Sequence, residues 1–240
     1  MKKILAALLL TLPTMAVAID LEGFYITPKG GVSKTMDTGV TSFNTQGGAL
    51  RTFEDEDLGT GSAFGFSVGK YLTDSFRLEL EAIKRTGYEY DARVSTAGFT
   101  NLSFEAKMQT ESLFVNGFYD FQPLSIRNTA ITPYLGGGVG ISKNKMGTTT
   151  LVNNGSRNGQ IVDGQTIHQF AYKLSAGTLV SLTEQLSLDV NYQYVNLGAF
   201  KGGTEVITNG ERTPDIDFQR GTNGGDIKTQ ELMVGLQYKF

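Results

Sequence analysis

The chain carries few residues of the kinds that do covalent or metal chemistry. Of its 240 residues one is histidine, His168, and none is cysteine. A general base needs a serine or carboxylate within hydrogen-bond reach, and no motif around His168 supplies one. The imidazole reads as a surface group near a strand end. One histidine without cysteine also leaves no donor set for zinc. Glu54-Asp55-Glu56-Asp57 is an acidic run of the sort that attracts calcium, but it lacks the alternate spacing and the glycine of a calcium loop. It reads as a solvated loop tip. Gly136-Gly137-Gly138 lacks the Lys-Ser or Lys-Thr that completes a phosphate loop. In a strand, such glycines allow bending or close packing. No catalytic residue, metal ligand or cofactor site is expected.

A second set of charged residues recurs at a spacing of two. Arg77, Glu79 and Glu81 alternate with Phe76, Leu78, Leu80 and Ala82; Lys29, Lys173, Asp189, Glu231 and Lys239 alternate with apolar residues in the same way. Side chains at i and i+2 share a face of a strand, so each segment has one greasy and one polar face. Eight segments of about ten residues fit this pattern: Gly23 to Ser33, Ala63 to Tyr71, Ser75 to Arg85, Met108 to Phe121, Ile131 to Ser142, Ile167 to Val180, Leu186 to Val195, and the C-terminal Leu232 to Phe240. In the fourth, Leu113, Val115 and Tyr119 are read as outward and Phe114 and Phe118 as inward.

The connections alternate in length. Turns are expected around Thr73-Asp74 and Thr183-Glu184-Gln185, with a somewhat longer link from Gln122 to Ala130. Long loops are expected over Lys34 to Ser62, Thr86 to Lys107, Lys143 to Thr166 and Asn196 to Asp226. The N-terminus begins with Met1-Lys2-Lys3, continues with an apolar run to Leu12, and reaches Ala16-Val17-Ala18, the pattern of a secretory signal peptide with cleavage after Ala18. Residues 1–18 are read as that signal and 19–240 as a single domain. Losing the signal leaves 19 of the 21 Lys and Arg against 24 Asp and Glu, a net charge of −5 that gives no footprint for nucleic acid.

Together these features predict an all-β fold: an eight-stranded antiparallel up-and-down transmembrane β-barrel of the bacterial outer membrane. Short turns and both termini would lie in the periplasm and four long loops outside the cell. Eight strands enclose a lumen that side chains can fill. Lys29, Arg77, Glu79, Glu81, Lys173, Asp189, Glu231 and Lys239 are its expected polar network, either a packed plug of ion pairs or a narrow ion path. The inward glycines leave room for bulky neighbours or for a small cavity. With no tryptophan, the aromatic girdle at the short-turn end is assigned to Tyr71, Phe76, Tyr119, Phe121, Tyr238 and Phe240.

Three stretches resemble a known family. Pro133-Tyr134-Leu135-Gly136-Gly137-Gly138-Val139-Gly140, Phe170-Ala171-Tyr172-Lys173-Leu174-Ser175-Ala176-Gly177-Thr178, and Leu186-Ser187-Leu188-Asp189-Val190-Asn191-Tyr192-Gln193-Tyr194 with Gly198 are similar to the fifth, sixth and seventh strands of small surface antigens. These belong to the OmpA-like and opacity-protein superfamily and include the rickettsial surface adhesins. The resemblance implies contact with a host surface or matrix protein through exposed loops, and reading of Phe240 by barrel-assembly machinery. Phe53, Tyr88, Tyr90, Phe99, Phe200 and Phe218 are the expected contact residues in the loop regions. The other expected partners are outer-membrane lipid and lipopolysaccharide, and the barrel is read as monomeric and not an enzyme. The alternatives are a small channel or carrier of hydrophobic solutes and, on His168 alone, a membrane enzyme with its site at the rim.

Overall fold

The computed structural model describes residues 21–36, 43–44, 50–51, 53–54, 58–96, 99–126, 129–153, 156–202, 205–208, 211–214 and 225–240. The expected signal peptide lies outside the described residues, as do Asp55 to Asp57. Eight strands form the wall: β1 Phe24–Thr35, β2 Thr60–Tyr71, β3 Phe76–Thr96, β4 Phe99–Asp120, β5 Thr129–Met146, β6 Gln165–Ser181, β7 Leu186–Ala199 and β8 Asp226–Lys239. Each pairs antiparallel with its chain neighbours, and β1 pairs with β8 from Tyr25–Lys239 to Thr35–Thr229, so the sheet closes into a barrel. The last residue joins the seam, its backbone N–H donating to the Phe24 carbonyl at 2.9 Å.

Burial is inverted relative to a protein that folds in water. Outward Phe170 and Leu174 are 65% and 64% exposed, and Val32, Phe64, Leu80, Val115, Ile141 and Leu232 share their face. Arg77, Glu79, Glu81, Arg85, Lys173 and Glu231 are buried inside. Only an apolar solvent makes that arrangement favourable: lipid takes the outer face, and the lumen must satisfy its charges internally.

Two of the short turns repeat one design. In Leu72 to Ser75 and again in Leu182 to Gln185, the threonine hydroxyl accepts the backbone N–H groups two and three residues on, at 3.3 and 3.0 Å. Such hydroxyl–backbone bonds stabilise tight turns. The third link at this end forms the strand Leu124–Ile126, paired with the start of β5.

The opposite end departs from the expectation of four simple loops. β3 and β4 run on to the pair Thr96–Phe99, past an irregularity between Arg85 and Tyr88. Gly87 stands there at φ 89°, a left-handed conformation that glycine adopts without steric cost. Four short strands, Thr149–Asn153, Ser156–Val162, Glu205–Thr208 and Glu211–Pro214, extend the sheet in order from the upper part of β4. Phe53–Glu54 pairs with β3 on the other side. Much of what reads as loop is therefore a sheet standing beyond the barrel.

The inward glycines face bulky side chains directly across the ladder. Tyr25 pairs with Gly69, Phe114 with Gly140, Phe118 with Gly136, and Tyr134 with Gly177. A Cβ on Gly136 would lie 2.2 Å from the Phe118 ring, whereas one on outward Gly117 would meet nothing closer than 3.6 Å. Gly136→Val is therefore expected to abolish most refolding into detergent micelles, and Gly117→Val to leave it near wild type. Band-shift electrophoresis of unheated samples measures both, and equal refolding of the two variants would contradict this packing.

Candidate functional site

The lumen is filled at four successive levels. Nearest the short turns, Arg77 Nε donates to Asp120 Oδ1 at 3.0 Å, and its guanidinium lies over the rings of Phe118 and Tyr134, 4.5 Å from each centroid. The Tyr134 hydroxyl donates to Asp189 Oδ1 at 2.6 Å. At the next level Lys29 pairs with Glu79 at 3.1 Å, Lys173 pairs with Glu81, and Asn116 Nδ2 donates to both glutamates at 3.2 and 2.7 Å.

At the third level Arg85 grips Glu231 with two parallel bonds, Nε to Oε1 at 2.5 Å and Nη2 to Oε2 at 3.1 Å. Ser33, Gln193 and Thr229 also donate to that carboxylate at 2.6, 2.5 and 2.9 Å. Above it sits an apolar layer of Leu58, Tyr88, Met108, Met146, Leu197, Phe200 and Ile227, all buried. No side chain in the lumenal ion pairs is more than 5% exposed. Charges this dry are tolerable only when paired and hydrogen-bonded; each of these ions has an opposite charge within 4 Å, while Arg77 Nη2 and Glu81 Oε1 are left without a hydrogen bond.

Lys29, Arg77, Glu79, Glu81, Lys173, Asp189 and Glu231 lie together in the lumen. Lys239 does not join them: at the end of β8 it is exposed at the open mouth, where its ammonium lies 4.8 Å from the Tyr71 ring. Tyr71 is likewise no part of an outer girdle, since its phase on β2 turns it inward and its hydroxyl donates to Gln237 Oε1 at 3.3 Å. Phe76, Tyr119, Phe121, Tyr238 and Phe240 do stand outward.

Tyr88 and Phe200, expected as contact residues, are buried in the apolar layer, and the Tyr88 hydroxyl shares a 2.5 Å bond with Ser33. Both side chains point into the top of the lumen, so neither is available to a partner. Phe53, Tyr90 and Phe99 lie on strands of that extension, and Phe218 lies outside the described residues. His168 is exposed on β6 beside Lys143, and among the described residues its imidazole forms no bond to a serine or carboxylate. No group of His, Asp and Glu able to hold a metal occurs among the described residues.

Sequence reasoning missed Arg85 and Asp120. Both continue a phase already visible, 77, 79, 81, 83, 85 on β3 and 114, 116, 118, 120 on β4. Apolar Ile83 interrupts the first run of charges and hides its last member.

A cleft of about 420 Å³ opens on the wall where β3 and β4 become irregular, lined by Thr86, Gly87, Glu89, Lys107, Gln109 and Lys145 among others. A wider mouth of about 1020 Å³ lies at the short-turn end, with Glu22, Asp74, Asp120, Glu184 and Lys239 around it.

The sequence matches the family described as outer membrane protein beta-barrel domain across residues 4–240. Outer membrane protein PagN of Salmonella typhimurium is 26% identical over 238 residues, covering 94% of this chain and 93% of that protein. A putative adhesin of Rickettsia bellii is 24% identical over 144 residues, 57% of this chain and 59% of the adhesin. Among solved structures, Neisserial surface protein A is similar in fold, with a TM-score of 0.51 and 17% identity over 91% of this chain and 98% of that one.

Removing one partner from the central pair tests the plug. Arg85→Met leaves the Glu231 charge buried without its cation and is expected to cost roughly 3–5 kcal/mol of stability. Arg85→Met combined with Glu231→Gln removes both charges and should recover a large part of that loss. Urea titration of the refolded barrel in lipid vesicles compares them. A double variant no more stable than the single one would contradict the pairing.

Proposed function

Since the chain belongs to the outer membrane protein β-barrel domain family and is a protein of the bacterial outer membrane, we propose that it is a surface adhesin without enzymatic activity. Residues 1–18 direct export and are removed, and residues 19–240 form one monomeric barrel. The short turns and both termini face the periplasm, and the sheet extension faces outward, where it meets a host-surface or matrix protein. The observation that carries this reading is surplus strand. β3 and β4 are 21 and 22 residues long, whereas about 9–11 tilted residues cross a bilayer. The surplus, with the four short strands docked on it, builds a stiff platform beyond the apolar band, on which contact residues can be held in place.

The names of PagN and the rickettsial adhesin favour the same reading. The filled lumen weighs against a channel or carrier, and the inward glycines that suggested one are occupied by facing side chains. The isolation of His168 weighs against a rim enzyme. Phe240 serves as the signal for barrel assembly, a role that suits its position at the closing seam.

Trimming the platform tests the adhesin. Cells displaying the intact protein should bind host-cell monolayers and immobilised matrix proteins, and cells displaying a chain with segments 90–104, 150–162 and 205–214 shortened should lose most of that binding at equal surface level. Unchanged binding would sink the reading. Since the chain has no native cysteine, single cysteines in these segments should react with a membrane-impermeant maleimide on whole cells, and cysteines in the Leu72 and Leu182 turns should not. Deleting Phe240 should lower the folded amount in the membrane; normal levels of the truncated chain would count against the assembly role.

A further inference from the structure

The outward face carries a charged row set directly against the edge of the apolar band. Across β3, β4, β5 and β6, register aligns Ala82, Leu113, Ile141 and Phe170, the last apolar residues on their strands before the long-strand end. One step further, the same register aligns Lys84, Glu111, Lys143 and His168, all exposed. Lys84 and Lys143 pair with the two oxygens of Glu111 at 3.3 and 3.6 Å. Glu111 thus holds two ammonium groups on neighbouring strands. Each ammonium has three donors and spends one on the carboxylate, so donors remain on both. Lys145 follows two residues beyond Lys143 and, with Lys107, lines the 420 Å³ cleft opened by the Gly87 irregularity. Glu89 is the carboxylate lining that cleft, and exposed Glu105 follows two residues beyond Lys107 on the same face, so four lysines stand against Glu111, Glu89 and Glu105.

We infer that this row and cleft form a binding site for the phosphorylated headgroup of lipopolysaccharide, with its acyl chains lying on the adjoining apolar row. A ligand that fits must be amphipathic. Leu113, Ile141 and Phe170 offer it hydrocarbon contact, and the lysines one step away offer cations at the height where lipid phosphates lie. A free anion would use only half of the surface. The proposal rests on the orientation given above, because lipopolysaccharide occupies the outer leaflet.

The test refolds the full chain into phosphatidylcholine nanodiscs doped with bisphosphorylated lipid A or with lipid A stripped of its phosphates. Native mass spectrometry counts the lipid A retained per barrel. The variant Lys84→Gln/Lys143→Gln/Lys145→Gln should retain at least about tenfold less bisphosphorylated lipid A than wild type, given three lost cations at the membrane surface. The corresponding Lys→Arg variant should retain it, as should Lys34→Gln/Lys228→Gln, which alters the wall at β1 and β8. Lipid A without phosphates should not distinguish the variants. Should the triple variant not refold, Lys143→Gln and a salt titration of the wild type carry the same comparison. Equal retention by wild type and glutamine variants, or an equal loss in the Lys34/Lys228 control, overturns the site. Retention that follows the pattern, with cysteine labelling placing the long-strand end in the periplasm, overturns the orientation and leaves the site standing.

Discussion

A peptide group facing hydrocarbon has no water to bond, and an unpaired one there costs several kcal/mol. That cost forces each wall strand to have two neighbours and forces the first strand to meet the last. The β1–β8 seam is where this requirement is met at longest sequence range, from Tyr25 opposite Lys239 to Thr35 opposite Thr229. The terminal Phe240 N–H finds the Phe24 carbonyl, so the ladder extends to the final residue. Eight strands then fix the bore, and the bore fixes what can lie inside.

In so narrow a lumen the side chains must do two things at once, fill space and neutralise one another. Glycine opposite aromatic solves the first: Gly69 gives way to Tyr25, Gly136 to Phe118 and Gly177 to Tyr134. The second is solved by bonds that run across the barrel. Arg85 on β3 holds Glu231 on β8, and Lys173 on β6 holds Glu81 on β3. Breaking such a pair leaves a dry charge, so the network also locks distant strands in register. The lumen is a structural core built from polar parts, and the sheet beyond it carries the surface available for function.

The sequence made the wall legible because period-two alternation is a local property. All eight strands, and the inward phase of Phe114 and Phe118 on β4, can be read from apolar positions alone. The sheet extension was harder to see. Gly87 and the polar residues near it look like the start of a loop, although Tyr88, Tyr90, Ala92 and Val94 keep the alternation, as do Met108, Ala106, Phe104 and Leu102, with which register pairs them in turn. Pairings between distant segments, such as Ile161 with Ile207, leave no local trace. Tyr88 and Phe200 likewise read as exposed tips, although both pack into the apolar layer at the top of the lumen. Lys239 had the right phase and the wrong depth, since alternation gives a side chain's face and says nothing of its distance from the mouth.

On the adhesin reading, a barrel plugged by its own side chains acts through its outer surfaces rather than through its lumen. Conductance across a planar bilayer tests that claim most directly. Folded wild-type protein inserted into the bilayer should give no current steps above the bare membrane. Stable steps whose size scales with salt concentration would mean that ions pass Arg85 and Glu231, and would contradict the plugged lumen on which the account depends.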